Sequence, residues 1–145
     1  MTSKNQSTDS YEVAWLVRRL FRALAQKSNE NLAAVGISAA DRAVMEFLYP
    51  DESLSVPAIA DRYQVSRQHV QVTVNSLLDK GLVMARDNPR HRRSPLIALK
   101  PKGRKLFESV LEQDKKELER LFSSVPASDL TTTRRTLSSL LEVLS

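Results

Sequence analysis

The stretch SVPAIADRYQVSRQHVQVTVNSLLDKG, from Ser55 to Gly81, decides the fold. It reads as two helices separated by a very short turn. Ser55 is a good N-cap, because its hydroxyl can accept a backbone N–H that the first turn leaves unpaired, and Pro57 follows early, where proline is tolerated. The first helix covers about Val56 to Tyr63 and turns Ile59 and Ala60 inward. Gln64-Val65 is the turn. Ser66 then caps a longer helix, Arg67 to about Lys80, with an apolar stripe of Val70, Val74, Leu77 and Leu78, and Gly81 stops it.

Working outward, Leu82 to Arg86 is a short apolar-to-basic run, Asp87 to Ser94 is polar with Pro89 inside it, and Pro95 to Leu99 is apolar again. Two short strands around a basic loop make a hairpin. Upstream, Ser38 caps a helix over about Ala39 to Tyr49, with Asp41 in its first turn and Ala43, Val44, Phe47 and Leu48 toward the core; Pro50-Asp51 breaks it. Helix, short turn, capped helix and basic hairpin, in that order, describe a winged helix-turn-helix.

Three helical segments flank this lobe of residues 37–100. From Tyr11 to about Ala34, Val13, Leu16, Val17, Leu20 and Leu24 form one stripe, and Tyr11, Ala14, Trp15 and Phe21 form a second. A helix apolar on two sides is usually covered on two sides, and in a small protein the second cover is often a partner subunit. Gly36 supplies its stop. Pro101 opens a helix to about Ser123 with Phe107, Val110, Leu111, Leu118, Leu121 and Phe122 on its apolar side. A last helix, Ala127 to Leu144, uses Leu130, Leu137, Leu140, Leu141 and Leu144. Residues 1 to about 8 read as a frayed tail. The expected fold is therefore mainly α with a small β-hairpin: one domain over 1–145, with a winged helix-turn-helix at 37–100 and outer helices at 10–35 and 101–145.

Three glycines in 145 residues suit a helical chain. The formal charge is +5, but its distribution is more informative. Between Arg86 and Lys105 there are eight basic residues (Arg86, Arg90, Arg92, Arg93, Lys100, Lys102, Arg104, Lys105) and one acid, Asp87, so this window is +7 and the remainder −2. A concentrated positive field is what a phosphate-binding surface needs. The chain has no cysteine, which excludes disulfides, cysteine-ligated zinc and thiol redox sensing. No signal-peptide pattern or membrane-spanning run is present, so the expectation is a cytoplasmic protein without a membrane partner. There is no glycine-rich phosphate loop and no nucleophile–base set, so no enzyme is expected. The two histidines, His69 and His91, have no acidic cluster beside them; neither a metal nor another cofactor is implied.

The second helix of such a pair fits the major groove of double-stranded DNA, where its N-terminal half meets base edges. Here that half offers Arg67, Gln68, His69, Gln71 and Thr73 as outward residues, with Val70 inward. Arginine matches guanine and glutamine matches adenine, while Ser66 at the helix N-terminus is placed to help hold a phosphate. Arg90, Arg92 and Arg93 at the hairpin tip suit a minor groove, where the potential is most negative. Each feature also has a plainer reading: the arginines as a solvated loop, Gln68 and Gln71 as surface residues, the charges from Glu108 to Arg120 as a solvated helix face.

At these residues the sequence resembles the MarR family of regulators. The resemblance runs through Ile37-Ser38 to Leu48, Ser55 to Tyr63, Val65-Ser66 to Val83, then Arg86, Arg92-Arg93, and Leu99 with Gly103. It implies a sequence-specific DNA-binding transcriptional regulator, acting as a repressor, and a homodimer held by the first and last two helices. It also implies small aromatic or phenolic effectors between those helices and the DNA-binding lobe. Trp15, Arg18 and Met45 are the lining candidates, although packing accounts for Tyr11 and Trp15 more simply. Two positions depart from the pattern. His91 stands where the family's wing carries an aspartate before its arginines, and Lys100-Pro101 replaces the threonine that caps the next helix. The alternative function is a winged-helix module that docks on another protein and does not read DNA.

Overall fold

In the computed structural model the backbone is described for residues 2–145 and side chains from residue 5 onward. The elements are α1 (Thr2–Ala34), α2 (Ala39–Leu48), β1 (Leu54–Ser55), α3 (Val56–Tyr63), α4 (Arg67–Asp79), β2 (Val83–Arg86), β3 (Leu96–Leu99), α5 (Pro101–Leu121) and α6 (Ala127–Leu144). The mainly helical winged helix-turn-helix expected from the sequence is the fold found. The chain forms two compact units, one ending at Val110 and the other comprising Leu111–Ser145.

In the first unit the three serines cap as their positions require. Ser38 Oγ accepts from the Asp41 N–H while Asp41 accepts from the Ser38 N–H, a reciprocal capping box. Ser55 accepts from the Ala58 N–H and Ser66 from the His69 N–H. Gln64, between α3 and α4, is left-handed (φ 60°), and its side-chain amide donates to the Asp61 carbonyl. This single left-handed residue turns the chain between the two helices without a glycine. The core under them joins Val44, Met45 and Leu48 of α2, Ile59 of α3, Val70, Val74 and Leu77 of α4, Val83, Ile97 and Phe107.

The sheet is antiparallel in the order β1-β3-β2, so it has three strands and not the two of a hairpin. Leu54 pairs with Ile97 and Ser55 with Leu96, while Val83 to Arg86 pair with Leu99 to Leu96. Two residues have too little pattern to be read as a strand; β1 exists because β3 has a free edge for it. α1 also starts earlier than expected. Residues 2–8 are helical and not a frayed tail, with the Ser10 hydroxyl bonded back to the Gln6 carbonyl. Met1 lies outside the described residues.

Two further contacts join distant parts of the first unit. Asp41, 2 % exposed, takes Lys80 Nζ at 2.6 Å, tying the start of α2 to the end of α4. Gly103 of α5 lies directly against the Leu82 backbone, where a Cβ would fall 2.0 Å from the Leu82 carbonyl oxygen. That carbonyl also accepts from the Lys100 N–H, so the entry to α5 is held by backbone where the expected threonine is missing.

Leu32 is the buried hydrophobic residue of α1; both apolar stripes, Tyr11 to Leu24, stand open on this single chain. In the second unit α6 has no buried residue, and Leu137, Leu140, Leu141, Val143 and Leu144 are exposed, as are Leu118 and Leu121. Among the described residues no helix is long and apolar enough to cross a membrane, and no group of three or more His, Cys, Asp or Glu could hold a metal ion.

Candidate nucleic-acid interface

α4 presents one buried and one open face. Val70, Thr73, Val74 and Leu77 point inward, and Ser66, Arg67, Gln68, His69, Gln71, Val72 and Asn75 are exposed. Thr73 was expected outward, and the structure corrects this. It is 5 % exposed and its hydroxyl donates to the His69 carbonyl. Three residues after Val70, it falls on the buried side of the helical wheel, and threonine hides its hydroxyl in the helix itself. The 3.6-residue period held that information, but the polar residue type concealed it. The same period leaves Val72 outward, which a search for polar residues passed over. Leu78, read as core, is also exposed.

The side chains on the open face are held at specific places. The His69 ring leans toward Tyr63, with centroids 6.3 Å apart, and Tyr63 in turn sits 5.8 Å from Phe47. Gln71 Nε2 donates to Asn75 Oδ1 at 2.9 Å, leaving the Gln71 carbonyl oxygen and the Asn75 amino group directed elsewhere.

The wing joins β2 to β3. Its tip is organised by Asn88, which the sequence reading did not single out. Asn88 Nδ2 donates to the Ser94 carbonyl at 2.9 Å, Asn88 Oδ1 accepts from the Arg90 N–H, and the Asn88 carbonyl accepts from the His91 N–H. An asparagine side chain thus closes the loop from the inside. The Asn-Pro pair was the available signal, since asparagine readily bonds to nearby backbone. Arg90, Arg92 and Arg93 are exposed, and among the described residues no ion pair involves them.

The basic window therefore divides. Arg104 pairs with Asp51 at 3.0 Å and Lys102 Nζ donates to the Lys80 carbonyl, so these cations are directed at the protein. Lys80, Lys102 and Lys105 surround a cleft of about 550 Å³ with Ile37, Leu82 and Leu106 along it. The effector candidates are not gathered in this way. Met45 is fully enclosed in the core, which corrects its expected place on a pocket wall. The concavity at Trp15 is lined by Tyr11, Glu12 and Leu16 of the same helix, without Arg18 or Met45, and Arg19 stacks 4.6 Å over the Trp15 ring.

An open polar helix beside an unpaired arginine wing defines a winged helix-turn-helix protein. The chain belongs to the MarR family: the family model matches residues 35–94. It is 34% identical over 137 residues to the uncharacterized protein Rv2011c of Mycobacterium tuberculosis, covering 93% of this chain and 96% of that one. In fold it is similar to a crystallised MarR family transcription regulator, with a TM-score of 0.91 at 19% identity over 99% and 95% of the two chains. It is also similar to a MarR family protein from Bacillus stearothermophilus, with a TM-score of 0.82 at 20% identity over 95% and 96%.

Proposed function

We propose that the protein is a homodimeric transcriptional repressor that reads double-stranded DNA with α4 and grips it with the wing. The observation that carries this reading is the pairing, on one lobe, of an open α4 face and three exposed arginines that, among the described residues, are in no ion pair. Arg67, Gln68, His69 and Gln71 meet the major groove, Ser66 at the helix N-terminus helps hold a phosphate, and Arg90, Arg92 and Arg93 meet phosphates or a narrow minor groove. Selection of bound sites from random DNA tests the reading. In that selected site, Gln68→Ala or Gln71→Ala costs about 1–3 kcal/mol, and binding to random DNA barely changes, because random DNA is held mainly by phosphate attraction. Failure to enrich any site, with binding indifferent to salt, would favour the protein-docking alternative.

The helices at 10–35 and 101–145 serve as the dimer platform. Their exposed Tyr11, Phe21, Leu141 and Leu144 argue for a cover that one chain lacks. The expected result in sedimentation is a dimer at micromolar concentration; a folded monomer there contradicts the proposal. Two-fold symmetry then places half-sites about one helical turn, 10–10.5 bp, apart in a pseudo-palindrome. For a small phenolic or aromatic effector the cleft at Ile37, Leu82 and Leu106 is the better-formed receptor, since Lys105 on its rim, in no ion pair among the described residues, suits an acidic ring substituent. Titration with a hydroxybenzoate should move the amide resonances of Ile37 and Leu82; unmoved resonances would exclude the cleft.

A further inference from the structure

The open face of α4 holds one residue that cannot hydrogen-bond. Val72 is 64 % exposed, and in the lobe of residues 37–100 the other large exposed hydrophobic residue is Leu78, near the C-terminal end of α4. The inward set Val70, Thr73, Val74 and Leu77 places Val72 on the opposite side of the helix, with Gln68 one turn before it and Asn75 one turn after. The Gln71–Asn75 hydrogen bond runs along its flank. Valine is a poorer helix former than the long polar residues that usually fill exposed positions, so helix propensity does not account for it, and at this exposure core packing does not either.

We propose that Val72 is a specificity-determining residue that reads the 5-methyl group of a thymine in each half-site. The inference rests on α4 being the major-groove helix. In that groove guanine, adenine and cytosine edges present donors and acceptors, and thymine alone adds a methyl group. Valine set against a purine edge would strip water from groups it cannot pair, which is unfavourable. Set against thymine, two apolar surfaces leave water together. Amides at 68, 71 and 75 flank this contact and suit adenine, so the base pairs under the middle of α4 should be A·T.

The test uses the full-length protein and the site selected from random DNA. Each thymine is replaced singly by deoxyuridine, which lacks only the methyl, in both half-sites at once. Affinities are measured by fluorescence anisotropy for wild type and Val72→Ala. One buried methyl is worth about fourfold in affinity, so the two half-sites together should lose roughly tenfold or more at one thymine position. In Val72→Ala the same replacement should be silent, while its melting temperature stays at or slightly above the wild-type value, because position 72 is exposed and alanine is the better helix former. 5-Methylcytosine at that position, which restores the methyl on a different base, should recover part of the loss in wild type only. Uracil effects that are equal in wild type and Val72→Ala at every thymine overturn the inference and leave the DNA-binding reading intact. Absence of any selected site overturns both.

Discussion

Gly103→Ala should destabilise the first unit, although alanine is the better helix former. Replacing glycine by alanine gains at most about 1 kcal/mol in a helix, and less in the first turn, where Gly103 stands. Against that gain stands a Cβ placed 2.0 Å from the Leu82 carbonyl oxygen and 3.0 Å from its carbon. The obstacle is backbone, fixed by its hydrogen bond from the Lys100 N–H and by the burial of the Leu82 side chain. It cannot swing away as a side chain would, so the start of α5 must lift and take Phe107 and Val110 partly out of the core. Overpacking usually costs about 1–3 kcal/mol, and an unyielding neighbour puts this site at or above the upper end. The clash therefore wins, by about 2 kcal/mol or more net, and the melting temperature falls by several degrees at fixed protein concentration. Thermal unfolding followed by circular dichroism measures it. A melting temperature equal to or above wild type would show that α5 does not press on Leu82.

Replacing Arg92 and Arg93 together by alanine should produce the largest change in DNA binding. Both are exposed at the tip and neither belongs to an ion pair among the described residues, so the variant should keep its stability. Asn88, which organises the loop, is untouched. A dimer loses four guanidinium groups. Each phosphate contact contributes about 0.9 to the slope of log affinity against log salt, so the slope should flatten by about 3 to 4. Between 50 and 200 mM salt, the wild type should then lose about a hundredfold more affinity than the variant. The loss should be similar for selected and random DNA, unlike that of Gln71→Ala, because phosphates carry no sequence. Anisotropy at four salt concentrations reads both slopes. Parallel slopes for wild type and variant would mean that the wing does not touch DNA.

Much of the lobe could be read from the chain because its determinants are local. A serine hydroxyl reaches an N–H three residues on, so Ser38, Ser55 and Ser66 mark their helix starts without help from the rest of the molecule. The limits of α3 follow the sequence pattern closely for the same reason, and those of α6 do so behind Pro126, without a side-chain cap. The arginine-bearing tip between two apolar runs was equally visible, since its three arginines fall within four residues.

Where the sequence reading erred, a partner far along the chain was decisive. Leu54 and Ser55 become a strand only because Ile97 and Leu96 lie beside them. Lys80, read only as the end of α4, is held by Asp41, 39 positions away. Thr73, expected outward, is buried, while Val72, which carried no expectation, is exposed, since burial follows the phase of the helix and not the polarity of the residue.

By itself the sequence determined the order of the helices and the hairpin, the serine helix caps and the concentration of positive charge, all of which depend on neighbours within a few residues. Only the tertiary structure decided which of those charges stay free. Folding brings Asp51 to Arg104 and the Lys80 carbonyl to Lys102, and leaves Arg90, Arg92 and Arg93 in no ion pair among the described residues. Charge can be counted along a chain, but whether it is neutralised depends on distances that exist only after the chain has closed on itself.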